Sequence, residues 1–352
     1  LSMRSFFLKS IILLITRSSI LVGGQAVING VMMRVPGGYS TSVRLKNGTI
    51  KSKPILFKSL NEKKGYGKIP IVRGIVGLYE SFKIGFGTLN WSADIFEEEG
   101  GYDKDDEKHP NALRRFVNFL DQVFNKFEKI LNPILTLISI LIPISLFMYL
   151  PYFLTSLFID DAQNTLGFNA TGGIIRIFIF LTYLSLSSKT KTMRTLFQYH
   201  GAEHKTIATF ENGEGLSFEN TKKHKKEHPR CGTSFVFIVM LIGIFIFSII
   251  DSIIILSLNL NGLPILWRIL IHISCLPIVA GFSYEILKFL ATYMEKNYFI
   301  KLLCMPGLLL QKITTKEPDE NQLEVAFESL KTAFGDKYEE VKGNKYKADA
   351  IG

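Results

Sequence analysis

The chain has 352 residues, 47% of them hydrophobic, and its mean hydropathy of +0.22 excludes an ordinary soluble domain of this length. Its formal net charge is +10 at pH 7. Lys and Arg cluster beside apolar blocks, which indicates the positive-inside bias of a membrane protein rather than a nucleic-acid partner. The three cysteines are scattered and form no C-x-x-C pair, which argues against a disulfide framework.

Residues 1–21 form an apolar N-terminal segment. Its apolar run lies between Arg4 and Arg17 and is too short to span a bilayer comfortably. We expect this segment to lie at the membrane interface, or to contain extra residues upstream of a true start at Met3.

Residues 22–93 predict a β-rich unit followed by an interfacial helix. Glycines separate short β-like stretches, and Asn47-Gly48 between two of them predicts a hairpin with a type I′ turn. The glycines match neither phosphate-binding loop pattern, so they indicate tight turns. Apolar residues at helical spacing over 71–91 predict a helix lying on the membrane or partly in it.

Residues 94–110 are acidic and predict a solvated linker, whereas 111–290 predict an amphipathic helix and a four-span membrane domain. The spans are expected at about 133–158, 172–187, 234–258 and 264–287. Lys and Arg are concentrated in the histidine-rich loop 188–233 and after the fourth span. This asymmetry places both termini and that loop in the cytoplasm, in a protein of the inner (cytoplasmic) membrane.

Residues 291–335 predict a cytoplasmic helical tail, with one apolar stripe from Leu323 to Phe334, and the polar residues 336–352 are expected to be disordered. The predicted fold is therefore an α-helical polytopic membrane protein. It has about four spanning helices, a small N-terminal β unit and cytoplasmic amphipathic helices.

The spacing H-x-x-E-H occurs at His200, Glu203 and His204. On a helix the two histidines stand at i and i+4 and project from one face, so both can reach one ion. Inverzincin metalloproteases use this pattern, with a carboxylate that activates a water. The competing interpretation is a hydrogen-bonded structural pair without metal.

A third ligand can be sought by folding spans three and four about the tight turn near residue 260. This folding brings Glu285 to the level of residue 235, just below Cys231 and near His228. Zinc accepts carboxylate, thiolate and imidazole. Glu285, His228 and Cys231 are therefore alternative third ligands for one divalent metal ion, zinc being the most suitable.

The same folding brings Asp251 level with Arg268, and His272 lies one turn from Arg268. Ionisable groups inside a membrane need a partner. We expect Asp251 and Arg268 to form a structural ion pair; a proton or ion path is the alternative.

Six stretches resemble the YqhQ-like family of bacterial multi-pass membrane proteins of unknown function. They are Gly-Gly-Gln-Ala-Val-Ile-Asn-Gly-Val-Met-Met-Arg at 23–34, Asn-Trp-Ser-Ala at 90–93, Tyr-His-Gly-Ala-Glu-His-Lys at 199–205, His-Pro-Arg-Cys-Gly-Thr-Ser at 228–234, Gly-Phe-Ser-Tyr-Glu at 281–285 and Thr-Lys-Glu-Pro-Asp at 315–319. The resemblance implies a metal-dependent enzyme. It also implies a Glu where this chain has Asn29, so a catalytic or ligand role of that carboxylate would be lost here.

Two functions from different classes follow. The first is a metal-dependent membrane hydrolase in which Glu203 is the general base for an ester or amide substrate. The second is a scaffold or assembly factor whose polar motifs form a hydrogen-bonded cytoplasmic cap. The expected partners are membrane lipids and other membrane proteins. A carrier is the third option, but the chain shows no internal repeat.

Overall fold

The structure is a computed structural model that describes residues 22–101, 134–135, 137–161, 164–228, 231–293 and 297–346. The predicted N-terminal segment 1–21 and the predicted amphipathic helix that follows residue 111 lie outside the described residues. Of the predicted first span, the structure describes residues 134–135 and 137–158. The described chain is mostly helical with one small β-sheet, which confirms the predicted fold class.

The chain divides into two compact units. The first takes its residues from Leu1–Glu99, Tyr183–Ile242 and Leu276–Gly352. The second takes its residues from Gly100–Thr182 and Gly243–Cys275. The histidines of the H-x-x-E-H motif belong to the first unit, and Asp251 and Arg268 belong to the second.

The first unit contains an antiparallel sheet in the order β1-β2-β3-β4. Its strands are β1 (Gly23–Val27), β2 (Gly30–Val35), β3 (Gly38–Arg44) and β4 (Ile50–Leu56). The predicted hairpin at Asn47-Gly48 is confirmed, because β3 pairs with β4. Its turn type was wrong: Gly48 has a φ of +86° and Asn47 has no positive φ, whereas a type I′ turn needs both.

Asn29 occupies the two-residue turn between β1 and β2. Its φ of +51° is left-handed, a conformation that Asn tolerates better than most residues. The residue has a local role in the hairpin, and it does not line the cavity at the histidines described below.

Both faces of the sheet are covered, which explains why β2 is nearly continuously apolar. Helix α1 (Leu60–Lys63) is followed by the long helix α2 (Val72–Glu98), whose Ile84 and Ile95 pack on one face with Val27, Met32 and Val43. Since α2 continues to Glu98, the beginning of the predicted acidic linker 94–110 is helical instead.

The other face of the sheet packs against two helices that are far apart in the sequence, Lys191–Glu211 and Glu320–Phe334. Along the chain, two apolar helices lie between them. In space, their buried residues form one core with Val31, Met33 and Val35 of β2. This core includes Tyr199, Ala202, Ile207, Phe210, Leu323, Val325, Ala326, Phe327 and Leu330.

Within the described residues, four helices are long and apolar enough to cross a membrane, as predicted. They are α3 (Leu137–Ser156), α4 (Thr165–Ser187), α6 (Gly232–Leu258) and the Ile265–Leu290 part of α7 (Ile265–Tyr293). Between α4 and α6 lies α5 (Lys191–Glu211). Helix α4 begins before the predicted residue 172, because Asn164 Oδ1 accepts from the Gly167 N–H at 2.8 Å and satisfies its first turn.

The segment 188–233 is largely helical, with α5 followed by the short helix Phe218–Lys222. After α7 come α8 (Tyr298–Thr314) and α9 (Glu320–Phe334). Asp319 and Gln322 form a capping box that starts α9.

The expected disorder of 336–352 is corrected as far as residue 346. Tyr338–Val341 is helical, and the Tyr346 ring stacks on Phe210 with centroids 5.2 Å apart. Burial of aromatic surface orders this otherwise polar stretch.

Candidate metal centre

The two histidines of the H-x-x-E-H motif lie side by side on α5. Their ring centroids are 4.4 Å apart, as one helical turn allows. This part of α5 is buried because β1 and α9 pack against it, and His204 is only 2% exposed. The motif therefore lies in the interior of the first unit and not on a solvated face.

Main-chain carbonyls fix both imidazole rings. The Nδ1 atom of His200 lies 2.8 Å from the carbonyl oxygen of Thr314, and that of His204 lies 2.5 Å from the carbonyl oxygen of Lys226. A carbonyl oxygen can only accept, so each Nδ1 carries the proton and donates it. In the neutral rings both Nε2 lone pairs then face the same space, which is the arrangement of metal-ligating histidines.

Cys231 supplies the third side chain. Its sulfur lies 3.3 Å from His200 Nε2, and the N–H of Thr233 donates to it at 3.4 Å. Within the described residues, the ligand atoms of His200, His204 and Cys231 form the one such group that lies within 4.8 Å of one another. Two imidazoles and a thiolate are a typical zinc donor set.

Glu203 lies between the two rings. Its Oε2 atom is 3.8 Å from His200 Nε2 and 3.6 Å from His204 Nε2. The carboxylate fits there because β1 has a glycine opposite it: a Cβ on Gly24 would lie 2.6 Å from Glu203 Cγ. The glycine-rich β1 thus serves close packing against the motif.

His228 is a neighbour of this group but not part of it. Its ring centroid is 5.7 Å from that of His204, and its Nε2 lies 3.7 Å from Glu211 Oε2. Gln311 of α8 holds its main chain through two hydrogen bonds of 2.7 Å, one to the N–H and one to the carbonyl. The structure therefore directs His228 towards Glu211.

Glu285 requires a correction, because the structure pairs it with another helix and does not bring it to the histidines. Arg73 binds both carboxylate oxygens, and the N–H of Ile71 donates to Oε1 at 3.1 Å. The hydrogen bonds that Arg73 donates to the carboxylate of Glu285 raise the pKa of Arg73 above its ordinary value. Glu285 fixes the start of α2, where Ile71 has a left-handed φ of +66°.

A cavity of about 540 Å³ opens at the motif. Its polar wall includes His200, Glu203, His204, His228, Cys231 and Arg34. Its apolar wall includes Val22, Met32, Ile84 and Ile207. The side chains of the candidate metal centre therefore face an open space, a common arrangement in ligand sites.

The second unit contains a buried polar network. Asp251 Oδ2 accepts from Arg268 Nε at 2.8 Å, and both side chains are fully buried. Arg268 Nη2 also donates to Asp161 Oδ2 at 2.6 Å. His272 Nε2 lies 2.9 Å from Asp251 Oδ1, and Asn169 donates to Oδ2 at 2.9 Å. The structure thus places the predicted pair together and adds Asp161 and Asn169.

Two comparisons match most of the chain. A family model described as "Protein of unknown function (DUF1385)" matches residues 69–336. The chain is also 29% identical over 311 residues to "Uncharacterized protein YqhQ" of Bacillus subtilis (strain 168), covering 88% of this chain and 90% of that protein. No solved structure matches the chain.

Proposed function

The chain belongs to the DUF1385 family, and we propose that it is a membrane hydrolase that holds one divalent metal ion on His200, His204 and Cys231. Zinc suits this set of two nitrogens and one sulfur best. Three protein ligands with a fourth position open are typical of catalytic rather than structural zinc sites.

The observation that carries the proposal is that the Nε2 atoms of His200 and His204 and the sulfur of Cys231 lie close together. The hydrogen bonds of the two rings determine which ring nitrogen carries the proton. Both Nδ1 atoms donate to carbonyls, so two Nε2 lone pairs face the sulfur of Cys231. A single S–H proton can serve only one of the two nitrogens. A cation serves both nitrogens and a thiolate together, which favours a metal over a hydrogen-bonded structural pair.

Each residue then has a defined role. A divalent metal supplies Lewis-acid activation of water and of a substrate carbonyl. Glu203, next to both rings, is placed to take a proton from the attacking water and pass it to the leaving group of an ester or amide. Gly24 leaves the space that the carboxylate needs, and the adjoining cavity accepts the substrate.

Elemental analysis of the detergent-purified protein tests the metal directly. Wild type is expected to carry about one zinc per chain. His200→Ala, His204→Ala and Cys231→Ser should each weaken zinc binding by more than about 100-fold, since loss of an outer partner alone costs 10- to 100-fold. Glu285→Ala and His224→Ala are controls, because Glu285 binds Arg73 and His224 lies 3.1 Å from Glu214.

Zinc retained at full occupancy in the three ligand variants would contradict the assignment. So would a folded wild type that takes up no divalent metal.

The second outcome would support the scaffold instead, and one observation favours that candidate. Helix α8 exposes Tyr298, Phe299 and Leu302 while Gln311 and Thr314 on its other side hold the histidine segment. That apolar surface could bind other membrane proteins.

We also propose that the site faces the cytoplasm of a bacterial inner membrane. The support is the concentration of Lys and Arg between α4 and α6. Glu219→Cys and Asn164→Cys test this with an impermeant maleimide on intact cells. The reagent should label Asn164→Cys alone, and the opposite pattern would move the site to the other compartment.

A further inference from the structure

A second cavity, of about 290 Å³, lies next to the first. Arg34, Ser81, Cys231 and Gly232 line both. The two spaces therefore meet at a candidate ligand of the metal, Cys231. Both lie wholly within the first unit.

The far wall of the second cavity comes from the ends of two apolar helices. Phe235 lies in the first turn of α6, and Tyr284 and Leu287 lie in the last turns of the apolar part of α7. Helices of this length and hydropathy cross the bilayer. The cavity thus lies at the level where hydrocarbon ends and polar groups begin.

Two glycines of α2 shape this space. A Cβ on Gly74 would lie 2.8 Å from Tyr284 Cβ, so Gly74 allows α2 to pack closely on α7. Gly77 follows at i+3 on the same side of the helix, and a Cβ there would meet no atom within 4 Å. The missing side chain at Gly77 leaves the cavity open.

We propose that the second cavity holds an acyl chain of a membrane lipid whose ester bond lies at the metal centre. This inference rests on the proposed function and names its substrate class. The acyl chain would lie beside Gly77, Leu78, Phe235 and Leu287. The ester and headgroup end of the lipid would lie beside Arg34 and Ser81. The guanidinium of Arg34 is a third exposed, and Glu80 binds its Nη2 at 3.3 Å.

The reaction balances with water alone. The oxygen of water bonds to the acyl carbon, and the acyl carbon–oxygen bond of the ester breaks. The proton that Glu203 takes from that water goes to the leaving alcohol oxygen. No electrons are gained or lost, so no further reactant is needed.

Photolabelling tests the acyl-chain site. The full chain is reconstituted into vesicles of phosphatidylglycerol and phosphatidylethanolamine with a trace of phosphatidylcholine that carries a diazirine on one acyl chain. Wild type should be labelled on α2 near Gly77 and around Phe235 or Leu287. The matched variants are Gly77→Leu, which fills the cavity, and Gly87→Leu on the same helix, where a Cβ also meets no atom within 4 Å.

Each methylene of the acyl chain that is excluded from the apolar site weakens lipid binding about fourfold. The leucine side chain in Gly77→Leu displaces about three methylenes, so labelling of this variant should fall on the order of 50-fold. Gly77→Ala removes about one methylene and should lower it about fourfold. This smaller substitution keeps the test valid if Gly77→Leu does not fold. Gly87→Leu should be labelled as wild type is.

Zinc content is measured on the same samples. Equal labelling of wild type and Gly77→Leu, with zinc bound in both, would overturn the acyl-chain site and leave the proposed function intact. The same holds if no label reaches Phe235, Leu287 or the α2 segment around Gly77. Failure of wild type to bind zinc would refute the proposed function, and the acyl-chain proposal with it.

Discussion

Replacing Arg268 by Met should strongly destabilise the membrane-spanning part of the protein. Arg268 is fully buried and donates to Asp251 and Asp161 at 2.8 and 2.6 Å. Breaking a buried pair by removing one partner costs about 3–5 kcal/mol. Asp251 keeps Asn169 and His272 as partners, which places the expected loss at the lower end, about 3 kcal/mol.

The assay is the free energy of unfolding in mixed detergent micelles, measured for a double-mutant cycle. Adding Asp251→Leu to Arg268→Met removes the fully buried carboxylate that has lost its arginine, while Asp161, which is partly exposed, keeps the N–H of Leu263 as a donor at 2.9 Å. The loss of stability in the double variant should therefore be smaller than the sum of the two single losses by at least about 2 kcal/mol. Arg176→Met is the control, since Arg176 Nε donates to the carbonyl of Phe147 and, among the residues that the structure describes, forms an ion pair with no carboxylate. Additive losses in the cycle would refute the reasoning.

Three further predictions concern the first unit. Glu203→Gln should keep its zinc and lose hydrolysis of a short-chain nitrophenyl ester, because the amide cannot accept the proton; unchanged turnover would exclude Glu203 as the base. Gly24→Val should disturb the same carboxylate and lower that turnover, whereas Gly23→Val, where a Cβ meets no atom within 4 Å, should not. Burial raises the pKa of Tyr199 from 10.0 to about 12. The folded state therefore holds this proton more tightly than the unfolded chain does. The resulting stabilisation, about 3 kcal/mol, is complete below pH 10 and is lost as pH rises from 10 to 12. Unfolding measurements on Tyr199→Phe should show a smaller loss of stability over this alkaline range.

Patterns that depend on one helix or one strand were predictable from the sequence. The i, i+4 spacing placed His200 and His204 on one face, and hydropathy found all four apolar helices. Asp319 and Gln322 carry a capping-box pattern that gives the start of α9. Asn164 carries an equally readable cap signal for α4, but it lies outside the apolar run from which the span at 172–187 was predicted.

Contacts between distant segments were predicted only in part. Folding α6 against α7 brought Asp251 to Arg268, but the same reasoning put Glu285 near the histidines because it considered two helices alone. Arg73, on a third helix, is the actual partner of Glu285. The carbonyls of Thr314 and Lys226 leave no trace in the sequence, since every residue has one.

The contact between β2 and α9 has a consequence for the order in which the protein is made. The hydroxyl of Ser329 donates to the carbonyl oxygens of Val31 and Ser40, at sequence separations of 298 and 289 residues. The strands leave the ribosome first, and the four apolar helices are synthesised before α9. Thr314, which orients His200, also arrives late. The candidate metal centre therefore cannot be completed before the apolar helices have been made, and the proposed lipid cleavage would begin only in the full-length protein.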